Sequence, residues 1–317
     1  MYNMMEERIR MLIKVSTLYY IDGLNQQEIA KQLGTSRPQV SRMLNAARSE
    51  GIVQITINNP FSEEHQVERE LIETFGIKNA IVVHAPGADK QLLNKHLARA
   101  GAQLLESILR DQDVIGIMAS RSLADVGAEL NYFSRKNMQF VPVIGGWGAE
   151  GSKWHANENV RTFGEKLKSK YWTLNAPAIV GSQQARDIMM NEQNINEVIE
   201  LGKKATTVLV GIGQVSKDST IVKSGYFSRD DMDKVREKGA VANISTSFLD
   251  EKGTPIFYEE ENHMIGLSAL EIRQAQNIIA FASGDDKVAA IRAVLRGKWI
   301  DVLVTDLSTA NTLLGRG

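Results

Sequence analysis

The stretch "SRPQVSRMLN" (36–45) sets Ser36, Arg37, Gln39, Ser41, Arg42 and Asn45 close together, without a carboxylate among them. Arg37 and Arg42 can donate to guanine or to phosphate, and Gln39 can bond adenine through both atoms of its amide. Gln26 and Gln27, a little upstream, suit backbone phosphates. Further along, Ser120-Arg121-Ser122 follows an apolar run and opens a helical pattern. Hydroxyls, backbone N–H groups and a guanidinium at a helix start suit an anion, although Ser120 is equally suited to be an ordinary N-cap. Lys287, in "SGDDKVAAI", also stands at a helix start, where the dipole disfavours an ammonium unless it meets an anion. A solvated surface lysine is the competing reading.

Chemistry of the catalytic kind is sparse. The chain has no cysteine, which excludes disulfides, thiolate metal sites and a thiol nucleophile. Its five histidines, at 65, 84, 96, 155 and 263, share no ligand spacing. Only His155 neighbours a candidate loop, and it reads as a structural or surface residue. "GIGQVS" (211–216) is half of a dinucleotide fingerprint, but the third glycine and the acidic residue after the following strand are missing. No nucleophile elbow, P-loop or zinc pattern appears, and no cofactor is expected.

The elements that must position these residues are legible in part. Apolar positions Ile9, Leu12, Ile13, Val15, Leu18 and Tyr19 recur with helical period, and Asp22-Gly23 ends that helix. Asn25 can cap a second helix with Ile29, Ala30 and Leu33 inward, and Gly34 supplies the positive φ that leaves it. Ser36 starts a third helix, with Gln39 at capping-box spacing and Pro38 in the first turn. Val40, Met43, Leu44 and Ala47 form its inward stripe. This spacing is a helix-turn-helix, which puts the first turn of the third helix into a major groove. A plain helical hairpin with a solvated polar face is the alternative. "GIVQITINNP" then alternates like a β-strand or wing, and Asn58-Asn59-Pro60 marks a boundary. The expected domains are 1–57 and 58–317.

The larger part repeats short β-branched runs: "AIVV" (80–83), "VIGIM" (114–118), "FVPVI" (140–144), "TVLVGIG" (207–213), "IIAFA" (278–282) and "VLVT" (302–305). Helical stretches separate most of them, which indicates an α/β domain with a parallel sheet covered on both faces. Ligands of such sheets sit beyond the carboxyl ends of the strands. Gly145-Gly146-Trp147-Gly148 after the third run would let a ligand approach the backbone, or else make a tight turn. Lys plus Arg number 37 against 38 Asp plus Glu, so any basic surface is local. The N-terminal apolar stretch carries Glu6, Glu7, Arg8, Arg10 and Lys14, and no run reaches membrane-spanning length. A cytoplasmic protein is expected.

In their order, "LYYIDGLNQQEIAKQLGTSRPQVSRML", "VPVIGG", "VLVGIG", "SGYFS", "KGAVANISTSFLDEKG", "MIGLSALEIR" and "SGDDKVAAIRAVLRGKWIDVLVTD" resemble the SorC family of bacterial sugar-responsive transcription regulators over nearly the whole chain. The resemblance implies a helix-turn-helix (winged-helix-like) domain joined to a Rossmann-like effector domain similar to sugar-phosphate isomerases and deaminases, without their activity. It implies homodimers or homotetramers on palindromic operator DNA, and a sugar, polyol or sugar-phosphate effector. Carried onto this chain, the effector contacts are Ser120, Arg121, Ser122, Gly145, Gly146, Asn157, Gly211, Gly213, Asn243 and Lys287, with Lys287 and loop amides holding a phosphate.

Two departures alter the expected ligand. Ser120 stands where the family often has glycine. Ala240-Val241-Ala242-Asn243 replaces "GAVG" followed by an acid, so Asn243 should repel a phosphate less and read a different hydroxyl pattern. Ile144 stands where some members carry a Schiff-base lysine, which excludes that link here. The alternative function is an active sugar-phosphate isomerase or deaminase with an accessory DNA-binding domain.

Overall fold

The computed structural model describes residues 2–55, 62–146, 154–217, 219–223, 227–245 and 247–316. The chain divides into two compact units, Met1–Pro60 and Phe61–Gly317.

The first unit holds α1 (Tyr2–Tyr20), α2 (Gln26–Gln32) and α3 (Arg37–Ser49). Asn25 caps α2 by accepting from the N–H groups of Gln27 and Glu28, both at 3.0 Å. Glu28 returns the bond by accepting from the Asn25 N–H at 2.8 Å, which closes a capping box. Gly34 leaves the helix at φ +63°. Ser36 caps α3 by accepting from the Gln39 N–H at 3.3 Å. The reciprocal bond expected from Gln39 is not made, because its side-chain oxygen accepts from the Thr35 hydroxyl at 2.6 Å instead. Val15, Ile29, Ala30, Val40 and Leu44 form the core between the helices, with Met43 packed at its edge. The expected strand or wing does not begin at residues 51–55. The Val53 N–H bonds the Ala47 carbonyl, folding this segment back onto the end of α3. Its continuation, including Asn58-Asn59-Pro60, lies outside the described residues.

The second unit opens with α4 (Ser62–Phe75), β1 (Asn79–Val83), α5 (Lys90–Ile108), β2 (Val114–Ile117), α6 (Arg121–Glu129), β3 (Gln139–Pro142), α7 (Ala156–Lys166) and β4 (Lys170–Tyr171). After α8 (Gln183–Asn191) and α9 (Gln193–Lys203) come β5 (Thr207–Gly211), β6 (Gly213–Gln214), α10 (Thr220–Lys223) and α11 (Arg229–Glu237). Next are β7 (Ala242–Ile244), β8 (Ser247–Leu249), β9 (Pro255–Ile256) and α12 (Ala269–Ile272). The unit ends with β10 (Asn277–Phe281), α13 (Val288–Arg296), β11 (Val302–Asp306) and α14 (Leu307–Leu313).

Seven strands pair in parallel in the order β1-β11-β10-β5-β2-β3-β4. The chain winds from β2 towards β3 and β4, then returns to place β5 on the other side of β2. That reversal opens a crevice at the carboxyl ends of β2 and β5. All six apolar runs are strands of this sheet, and β11 is buried along its whole length, as expected of a sheet covered on both faces. The short edge strand β4 and a four-stranded antiparallel sheet, β6-β7-β8-β9, were not expected. This second sheet pairs Gly213 with Asn243 and so brings both to the crevice.

Candidate functional site

On the helix-turn-helix unit, Ser36, Arg37, Gln39, Arg42, Asn45 and Gln27 are exposed, while Ser41 and Gln26 are half-buried. Arg37 and Arg42 form no ion pair or hydrogen bond among the described residues, so both guanidiniums are available to an outside acceptor. Gln39 keeps its NH₂ and one oxygen lone pair despite the Thr35 bond. Arg48 is committed differently. It donates to the Tyr20 hydroxyl at 2.8 Å and lies over that ring, fastening α3 to α1.

In the second unit a cavity of about 830 Å³ opens at the carboxyl ends of β2, β5, β10 and β11. Its wall contains Ser120, Arg121 and Ser122 after β2, Gly211 and Gly213 around the end of β5, Asn243 from β7, and Lys287 after β10. Ser120 occupies the N-cap position of α6 but makes no capping bond, which leaves its hydroxyl for the cavity. It also explains Gly211, where a Cβ would lie 2.7 Å from the Ser120 oxygen. Asn243 donates to the carbonyls of Ser245 and Ser247, each at 3.2 Å. Its NH₂ is therefore spent on the turn, and the amide oxygen is what remains to accept a ligand hydroxyl. This narrows the expected role of Asn243 to an uncharged acceptor.

Lys287 is held in place by a buried relay. The Gly284 N–H donates to the Thr309 hydroxyl at 2.8 Å, and that hydroxyl donates to the Asp306 carboxylate at 2.5 Å. Thr309 and Asp306 are themselves buried, so Gly284 stays in its turn at φ +109° and the chain leaves it towards Lys287. Lys287 has no ion-pair partner among the described residues. Burial lowers its pKa below the ordinary lysine range. Asp286 opposes that shift, and the like charges of Lys90 and Arg121 add to it. Lys90 and Arg121 thus line the same cavity within electrostatic reach of Lys287. The cavity also holds Asp125, Asp285, Asp286 and Asp306, and burial raises the pKa of Asp125.

Three expected contacts lie elsewhere. Gly145 and Gly146 do not line the cavity; their backbones are used in packing. The Gly145 N–H bonds Ile265, the Gly146 N–H bonds Ala176, and the Gly146 carbonyl accepts from Ala178. A Cβ on Gly145 would lie 2.5 Å from the Pro177 carbonyl oxygen. Gly145 thus serves close backbone approach by the Ala176–Pro177 segment, while a Cβ on Gly146 would meet only the Ala176 carbonyl oxygen, at 3.8 Å. Gly145→Ala is expected to cost about 1–3 kcal/mol by overpacking, read as a lower Tm. Trp147 and Gly148 lie outside the described residues. Asn157 donates to the Leu174 carbonyl at 3.0 Å and accepts from the Leu174 N–H at 2.9 Å, which makes it a brace for that backbone.

The cavity wall also holds Lys90, Asn94, Asp125, Trp154, Ser219 and Ser283, which no sequence motif marks. Ser219 is buried with a hydroxyl that has no partner among the described residues. No signal in its local sequence could have distinguished it from a loop serine. Among the described residues no group of three or more acidic or histidine side chains could hold a metal, and no helix is long and apolar enough to cross a membrane.

Comparison with known proteins agrees with both units. The family model "Putative sugar-binding domain" matches residues 59–315, and a Crp-like helix-turn-helix domain matches residues 12–60. The chain is 28% identical to the deoxyribonucleoside regulator of Bacillus subtilis, over 97% of this chain and 98% of that protein. It is 28% identical to the sorbitol operon regulator of Klebsiella pneumoniae, over 96% and 98%. The crystal structure of full-length SorC from Klebsiella pneumoniae superposes with a TM-score of 0.77, 28% identity and coverage of 96% and 98%.

Proposed function

Since this chain belongs to the SorC family of sugar-responsive bacterial transcriptional regulators, we propose that its cavity takes a phosphorylated sugar or polyol, which controls how tightly α3 holds operator DNA. The chain is a DNA-binding regulator of a carbohydrate-use operon. The observation that carries the phosphorylated ligand is that Lys90 and Arg121 line the cavity within electrostatic reach of Lys287, with no carboxylate in an ion pair with any of the three among the described residues. Burial, Lys90 and Arg121 disfavour the charged form of Lys287 while Asp286 favours it, and a bound anion favours it further. Asp125 and the Asn243 oxygen accept from the ligand's hydroxyls, and Asp286 stays beside Lys287. Ser120, Ser122 and the Gly211 and Gly213 backbones complete the enclosure.

The regulator works in the cytoplasm as a homodimer or homotetramer on a palindromic operator, with half-sites about 34 Å apart. Effector binding changes the spacing of the two α3 helices in a dimer, and DNA is released. The ligand must bind the two arrangements unequally, because equal affinity shifts nothing. In keeping with relatives named as regulators, the chain is not a catalyst.

A thermal-shift panel of pentoses, hexoses and polyols with their phosphates tests this reading. At saturation a fitting sugar phosphate should raise Tm by about 5–10 °C, and its unphosphorylated parent by much less. Equal shifts for the two members of every pair would overturn the anionic reading.

The lowered Lys287 pKa predicts a pH dependence. A bound phosphate favours the protonated ammonium, so binding takes up a proton wherever free Lys287 has begun to lose its own. Affinity for a phosphorylated ligand should therefore fall as pH rises, starting below the ordinary lysine range of about 10.4. Calorimetric titrations across alkaline pH check this, with Lys287→Arg expected to flatten the fall.

A further inference from the structure

Three pieces of the cavity wall meet at a side chain that is not part of it. Asn159, on α7, is 1% exposed. Its amide nitrogen lies 3.1 Å from the Met118 carbonyl, 3.2 Å from that of Ser120 and 3.3 Å from that of Trp154. Met118, Ser120 and Trp154 all line the cavity. The Ser120 N–H also donates to the Trp154 carbonyl at 3.0 Å, so the two segments are joined twice. An NH₂ has only two hydrogens, and three acceptors must share them. Turning the amide over would set its oxygen against three carbonyls, which fixes its orientation. In that orientation the amide oxygen is buried without a partner among the described residues.

A buried amide with an orphaned acceptor is an inefficient way to fill a core. What it does accomplish is specific. It ties the turn after β2, which presents Ser120 and Arg121, to the segment before α7, which presents Trp154. Arg121 lies over the Trp154 ring at 5.7 Å, so the guanidinium's placement follows the ring's. Asn157, on the same helix, clamps backbone in a similar way but only at Leu174, away from the cavity.

We propose that Asn159 is a positioning residue for the effector: its amide sets the gap between the Ser120–Arg121 turn and Trp154, and thereby the cavity's affinity, without touching the ligand. The affinity part rests on the sugar-phosphate reading above; the clamp itself does not.

The test uses the full-length chain with Asn159→Ala, the milder Asn159→Ser, and Asn157→Ala as a brace outside the cavity. Hydrogen exchange without ligand should show faster exchange at the Ser120 amide in both Asn159 variants, and no change there in Asn157→Ala. Titration with sorbitol 6-phosphate and 2-deoxyribose 5-phosphate as probes should show about tenfold weaker binding for Asn159→Ala of whichever probe the wild type binds. Operator affinity without ligand should stay at the wild-type level. Unchanged exchange at Ser120 would overturn the clamp, and unchanged probe affinity in a folded variant would overturn its role in binding. Failure of both Asn159 variants to fold would make it a core residue and also overturn the proposal. If neither probe binds the wild type, the effector reading is what suffers, and exchange alone decides the clamp.

Discussion

Lys287→Ala should weaken binding of a phosphorylated effector by about 2 kcal/mol, roughly thirtyfold, through loss of a charge-assisted hydrogen bond in a partly desolvated site. The side chain is half-buried at the end of a turn that Gly284, Thr309 and Asp306 hold rigid, so no neighbour moves in to replace it. Arg121 and Lys90 remain, which is why binding is weakened and not abolished. The substitution also removes a group whose charge is disfavoured by its surroundings, so the ligand-free variant should be no less stable than wild type. A lower Tm without ligand would place Lys287 in a structural role. Operator affinity without ligand should be unaltered, and so should affinity for an unphosphorylated sugar.

Arg42→Ala should weaken operator binding by about 1–3 kcal/mol if the guanidinium reads a base, with the loss largest for the preferred sequence. Arg42 is exposed on α3, carries no ion pair among the described residues, and lies on the face opposite Val40, Leu44 and Ala47, which anchor the helix. Its removal should leave the fold and effector binding intact. The dependence on salt separates two roles. If Arg42 binds a phosphate, the variant's slope of log affinity against log salt is shallower by about 1. If it reads a base, the slope stays nearly unchanged and specificity relaxes at one position. Equal affinity of wild type and variant for every duplex would displace α3 from the groove.

The residues that were legible in the sequence are those whose role is set locally. Asn25, Gly34, Ser36 and Pro38 punctuate the first unit within a few positions of the helices they begin or end. The six apolar runs became strands of the main sheet because a strand buried on both faces is apolar throughout. Lys287 was singled out by its place at a helix start, and it does stand in the cavity. Strand β4 and the second sheet escaped because they are short and owe their existence to partners distant in sequence. Gly145 shows the same limit: its glycine character is explained by the Pro177 carbonyl packed against it. Asn157 and Asn159 stand two residues apart on one helix, yet only the latter reaches the cavity's own backbone. No sequence pattern separates two asparagines whose difference lies in which carbonyls they meet.

In the proposed regulation one ligand, held at the carboxyl edge of the sheet, sets the grip of α3 on DNA. The direct measurement is fluorescence anisotropy of an operator duplex, selected by the wild-type protein from random sequence, titrated with protein without effector and with effector at a few times the wild-type Kd. The wild type should bind operator more weakly with effector, and Lys287→Ala should bind it tightly at the same effector concentration. An operator affinity that stays the same while the effector demonstrably occupies the cavity would contradict it, because a ligand that distinguishes no two states regulates nothing.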